Sequence, residues 1–186
     1  MKTTSWGRRA TSSALTGLAL LLPLVAACSR DAPATPSDAP PGASRVAPHL
    51  PVDFAFDSLD DHAVNAEATR GKPTVIAFVT TGSLSAQAQV DFLVAMARHD
   101  GDKVNYAVVA LETRDNRELV ELYRKALSIP FPVAMADPQT MAGQGPFGDL
   151  SAVPVTVTLD RRGRVVARVD GRVAKSEELR AALKGL

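Results

Sequence analysis

The chain has 186 residues, enough for one domain with tails, and is 46% hydrophobic and 22% charged, the composition of a globular protein. A formal net charge of +1 gives no electrostatic case for nucleic acid or for acidic partners. A single cysteine excludes an intramolecular disulfide and a cysteine-based metal cluster within one chain.

Lys2, Arg8 and Arg9 precede an apolar run, Ala14 to Ala27, in the manner of a secretory signal. The run is short and interrupted by Gly17 and Pro23, which disfavours a spanning helix. It ends in Val25-Ala26-Ala27-Cys28, which resembles the bacterial lipobox, so 1–27 is expected to be a lipoprotein signal peptide and Cys28 the lipid attachment. The alternative is ordinary cleavage after Ala27, leaving Cys28 as a free thiol. Acyl chains at about 0.8 kcal/mol per buried CH₂ hold a protein on a membrane without a spanning helix. Ser29 is not the aspartate of an inner-membrane retention signal, so the periplasmic face of the outer membrane is the favoured location. Residues 28–50 are rich in Pro, Ala, Ser and Asp and poor in large apolar groups. They read as a disordered tether, too polar to offset the entropy of ordering, with a reach of roughly 60 Å at about 3.1 Å per residue.

The domain is placed at 51–186. Phe54 and Phe56 alternate with Ala55, which predicts an edge strand, followed by a turn over Asp57 to Asp61. Thr74 to Val79 is a β-branched and aromatic run, the pattern of a strand covered on both faces. After the small polar turn Thr80 to Ser83 the period changes. Val90, Leu93, Val94 and Ala97 recur at helical spacing, and the helix is predicted to start near Leu84. A strand feeding a helix through such a turn leaves the first helical amides unpaired at the strand's carboxyl end, so this turn is the predicted site. Gly101-Asp102 ends the helix and Val104 to Leu111 forms a second buried strand, giving a parallel pair of βα units. Asp115 and Glu118 have the spacing of a capping box, before Leu119, Leu122, Tyr123 and Ala126 on one helical face. Glu177 and Glu178 suit a last helix from Ser176, with Leu179, Ala182, Leu183 and Leu186 as its buried face.

The stretch from Lys72 to Leu93 resembles the active-site region of thioredoxin-fold proteins of the TlpA/ResA type, where a similar strand leads into WCxxC at a helix start. The resemblance implies Gly82 at the tryptophan, Ser83 at the first cysteine and Ala86 at the second; both thiols are missing. Other matching stretches are Gly71-Lys72-Pro73, Ile129 to Val133, a turn at Asp137-Pro138, and Ala152 to Val166, in which Pro154 corresponds to a proline that is cis in this family. The family also implies a short second strand, for which His62 to Asn65 is the candidate. The resemblance covers roughly Val52 to Leu186. It implies an α/β, thioredoxin-like fold of three layers, a central mixed sheet flanked by helices.

In redox members a thiolate at the helix N-terminus attacks a disulfide. Here an alcohol stands at Ser83, and Ala86 cannot resolve a mixed disulfide. Ser83 is expected to cap the helix rather than to act as a nucleophile, because none of His49, His62 and His99 is placed to reach it as a base. The same histidines without a cysteine pair do not fit a copper-chaperone site, so no metal and no cofactor is expected. An anion on the turn's free amides is a minor alternative. What remains is binding. In thioredoxin folds the residue before the cis proline offers backbone groups to an extended segment, so the resemblance implies that Thr81, Gly82, Ser83, Val153 and Pro154 form a groove for an envelope protein or peptide. The competing expectations are a TlpA-like thiol-disulfide oxidoreductase in envelope redox homeostasis or cytochrome c maturation, and a structural envelope lipoprotein without a specific ligand.

Overall fold

The computed structural model describes residues 50–186. The signal segment, Cys28, His49 and the tether up to that point lie outside the described residues. Seven strands form one mixed sheet in the order β2-β1-β5-β4-β3-β6-β7, with helices α1 to α3 in the connections and α4 after the last strand. This is the thioredoxin-like α/β arrangement.

The centre of the sheet is β3, Thr74–Val79, and all six of its residues are buried. It runs parallel to β4, Asn105–Ala110, and antiparallel to β6, Val155–Leu159. Side chains alternate across a strand, so β3 serves two cores. Val75, Ala77 and Val79 pack under α1, Leu84–Asp100, together with Val120 of α2, Arg117–Ala126, and Leu179 of α4, Ser176–Leu183. Ile76 and Phe78 face the opposite way, against Phe54, Phe56 and Phe147. Phe78 meets Phe56 edge-on at 6.0 Å and Phe147 at 5.0 Å. Burying a side chain of this size stabilises by about 1.5–3 kcal/mol before packing geometry is counted.

Several elements differ from the sequence reading. The strand near Phe56 is β1, Ala55–Ser58, and it is not at the edge: it pairs with β5, Val133–Met135, on one side and with the two-residue β2, Val64–Asn65, on the other. Local alternation shows that one face is buried but carries no information on how many neighbours a strand has. The segment after Asp137 is a short helix, α3, Pro138–Met141, rather than a bare turn: Asp137 accepts from the Thr140 amide at 2.9 Å and its hydroxyl at 2.7 Å.

The expected capping box at Asp115 does not form. A 3₁₀ turn, Arg114–Asn116, leads into α2, and Asn116 at the cap position makes no side-chain capping bond. The apolar face of α2 is also rotated. Val120 is fully buried, whereas Leu119 and Leu122 are 47% and 56% exposed. The helix leans on α1 along the Val120–Tyr123 edge, where burial and the nearby Asp91 carboxylate push the Tyr123 hydroxyl up to about 12. In α4, Leu179 is buried and Leu183 packs against the core, while the helix ends at Leu183, so Leu186 lies beyond it. The last strand, β7, Val165–Asp170, pairs antiparallel with β6 and closes the sheet on that side.

Candidate functional site

Two loops meet at one end of the sheet. β3 ends at Val79 and turns through Thr80 to Ser83 into α1, while β6 begins at Val155, directly after Pro154. Because Phe78 pairs with Val155 across the antiparallel ladder, the end of β3 and the start of β6 lie side by side. The turn and the Val153–Pro154 loop therefore open on the same edge, and the peptide bond between Val153 and Pro154 is cis.

Ser83 is the N-cap of α1. Its backbone is extended (φ −96°, ψ 121°), and its hydroxyl oxygen accepts from the Ala86 amide at 3.3 Å while its carbonyl accepts from the Gln87 amide at 3.0 Å. The hydroxyl also lies 2.9 Å from that of Ser85. Small side chains are what such a cap uses. Ala86 is fully buried one turn further on, and Leu84, between the two positions, is 84% exposed. Gly82 has no positive φ, and a Cβ built on it would meet nothing within 4 Å, so the space in front of the turn is open.

Two residues that the sequence reading did not single out hold this site. Glu112, just past the end of β4, accepts from the Thr81 amide at 3.0 Å and from the Thr81 hydroxyl at 2.7 Å; its other oxygen accepts from the Asn116 side chain at 3.0 Å. Burial would raise the Glu112 carboxyl, but the Thr81 hydroxyl and amide and the Asn116 amide outweigh it and hold the group below its ordinary value. A carboxylate already occupies the Thr81 amide, so the turn offers a ligand anion a repulsive neighbour rather than an empty cradle. The sequence signal was a glutamate placed directly after a buried strand.

Gln89 is the second. It is fully buried in the apolar face of α1, and its Oε1 accepts from the Ala174 amide at 2.6 Å. Ala174 belongs to the segment leaving β7, whose first residue, Gly171, donates to the carbonyls of Ala152 at 2.7 Å and Pro154 at 3.0 Å. One segment thus braces both α1 and the proline loop. Gly171 bonds on either side of Val153 and skips it, leaving the half-buried Val153 with backbone groups that have no partner among the described residues. A glutamine among Ala86, Val90 and Leu93 was the signal for this contact.

The chemistry available is limited. Ser83 has no base: His99 lies sixteen residues along α1, about 24 Å away at 1.5 Å per residue, and His62 is 79% exposed beside Asp60 in the segment before β2. Among the described residues no group of three or more His, Cys, Asp or Glu is arranged to hold a metal ion.

No family model and no curated protein sequence matches the chain. Solved structures do. The thio-disulfide isomerase from Thermus thermophilus is 31% identical, with 74% of this chain and 95% of that one covered at a TM-score of 0.57. A DsbF homologue from Corynebacterium diphtheriae is 17% identical over 82% of this chain and 97% of that one, with a TM-score of 0.67. StoA from Bacillus subtilis is 16% identical over 72% and 97%, with a TM-score of 0.56. The chain belongs to the thioredoxin-fold thiol-disulfide oxidoreductases of the TlpA/ResA type, and with a single cysteine in its sequence it lacks that type's CxxC pair.

Proposed function

We propose that this protein is a membrane-tethered, redox-inactive thioredoxin-like domain that binds an extended segment of a cell-envelope protein or peptide between the Thr81–Ser83 turn and the Val153–Pro154 loop. The observation that carries this reading is Val153: its main-chain groups are left without partners beside a turn that has no thiol and open space at Gly82. An extended segment can pair with such groups as an added strand, and this interaction needs no reactive sulfur. Ser83, committed to capping α1, and the methyl of Ala86 supply neither attack on a disulfide nor its resolution.

Lipid attachment at Cys28 and the outer-membrane periplasmic face belong to the same proposal, supported by the sequence before the domain and by relatives described as secreted, such as the thiol-disulfide isomerase from Corynebacterium glutamicum. Globomycin treatment or Cys28→Ala is expected to release the protein from the membrane fraction; retention after both overturns the anchor. For the groove, crosslinking pull-downs from native membranes with wild type, Gly82→Trp and Val153→Pro are expected to lose a common set of partners in both variants. Identical partner lists remove the groove from the function.

The second reading is a thiol-disulfide oxidoreductase that borrows a cysteine from another protein, favoured by the activity named for the Thermus thermophilus relative. Insulin reduction separates the two. The full chain alone is expected to be inactive, and turnover without an added thiol protein sinks the redox-inactive reading.

A further inference from the structure

A second cleft opens at the opposite end of the sheet from the turn, at the first residues of β3 and β4, Thr74 and Asn105, with a volume of about 730 Å³. That size lies within the range of sites for small organic ligands. Its inner wall is apolar: Tyr106 and Phe131, with ring centroids 5.8 Å apart, are both buried, and Pro132 lies beside them. Its lining also carries charge: Asp61 and Lys72 from the loops before the second and third strands, Arg98 from the last turn of α1, and Asp102 from the 3₁₀ turn Gly101–Lys103 that follows it.

None of these four charges has an ion pair or a hydrogen bond from its side chain among the described residues. The neighbouring carboxylates are all engaged: Asp60 pairs with Arg124 at 2.7 Å, and Asp100 accepts from Tyr106 at 2.6 Å and pairs with Arg180 at 3.4 Å. The cleft lining thus offers two free cations, Lys72 and Arg98, and two free anions, Asp61 and Asp102, beside the Tyr106–Phe131 pair.

We propose that this cleft binds a short peptide with free termini: the carboxylate on Lys72 or Arg98, the ammonium on Asp102 or Asp61, and an apolar side chain on Tyr106 and Phe131. A purely anionic or cationic ligand would gain one pair of contacts and meet the repulsion of the other. A zwitterion matches both signs. The cleft and the groove at Val153 lie at opposite ends of the sheet, so the two sites stand or fall separately.

The test is isothermal titration calorimetry of the purified full-length chain with the dipeptide Leu-Phe, its N-acetyl form, its C-terminal amide and the doubly blocked form. Leu-Phe is expected to bind, with each single block weakening it about three- to five-fold, the scale of a solvent-exposed ion pair, and raised ionic strength weakening it further. Lys72→Ala combined with Arg98→Ala is expected to abolish the penalty for amidation while leaving that for acetylation. Both side chains are exposed, and an unchanged far-ultraviolet circular dichroism spectrum confirms folding. If the variant does not fold, the four peptides on the wild-type chain decide alone. Equal affinity for zwitterionic and doubly blocked peptide, or no binding heat from any of the four, overturns the proposal.

Discussion

The carboxylate of Glu112 receives both the amide and the hydroxyl of Thr81, at 3.0 and 2.7 Å, and so ties the end of β4 to the turn that starts α1. The two residues are 31 positions apart in the chain. Their bond fixes the turn that carries Gly82 and Ser83, and it makes the site's shape dependent on a titratable group.

Because hydrogen bonds hold the Glu112 carboxyl below its ordinary value, the folded state binds its proton less readily than the unfolded chain does. The stabilisation is therefore fully present above the unfolded value near 4.5 and fades as pH falls through the lower folded value. Glu112→Gln is expected to cost about 1 kcal/mol at neutral pH, since Glu112 is only partly buried and the amide keeps one acceptor for Thr81. Denaturant midpoints for the variant should converge with those of wild type in acid; parallel curves down to the acid transition would show that Glu112 does not contribute in this way.

Ser83 caps α1 and Ala86 is buried one turn further on, the two helix-start positions at which a Cys-x-x-Cys pair can be introduced. Ser83→Cys with Ala86→Cys is expected to form a disulfide and to raise insulin reduction above that of the wild-type chain, because a thiolate at a helix N-terminus is stabilised there. A double variant that forms the bond but turns over no more insulin than wild type would show that two cysteines at these positions do not suffice for redox turnover. Ser83→Ala alone removes the cap and should lower stability by about 1 kcal/mol.

Gln89 is expected to act as a brace between α1 and the segment running from Gly171 to Ala174. Gln89→Leu leaves the Ala174 amide buried without an acceptor, at a cost of about 1–3 kcal/mol, and removes a side-chain nitrogen, Nε2, that has no partner among the described residues. The two effects oppose each other, with a net loss of about 1 kcal/mol expected and faster hydrogen exchange at Ala174. A raised unfolding midpoint with unchanged exchange would show that the brace is dispensable.

The rotated face of α2 can be checked by a pair of substitutions. Val120→Ala removes fully buried methyl groups and is expected to cost about 2 kcal/mol, from about 0.8 kcal/mol per buried carbon plus a cavity contribution. Leu122→Ser, on the 56% exposed side, should stay within about 0.5 kcal/mol of wild type. The reverse order of the two effects would restore the face predicted from spacing alone.

The sequence by itself determined the order of elements around the site: the continuous apolar run that became β3, the change of period at Leu84, the small residues of the turn, and the absence of thiols at positions 83 and 86. These are local properties, carried by residues close together in the chain, and the resemblance to a known fold extended them to a groove shared by the Thr81–Ser83 turn and the Val153–Pro154 loop. Long-range packing settled the rest: that β1 is an interior strand, which side of α2 faces the core, and that Glu112 and Gln89 hold the two loops of the site. Each of these rests on a contact between segments distant in sequence, where periodicity shows that a face is covered but not what covers it. A glutamate after a strand and a glutamine in a helix face look the same in sequence whether they point to solvent or, as here, close a buried hydrogen bond.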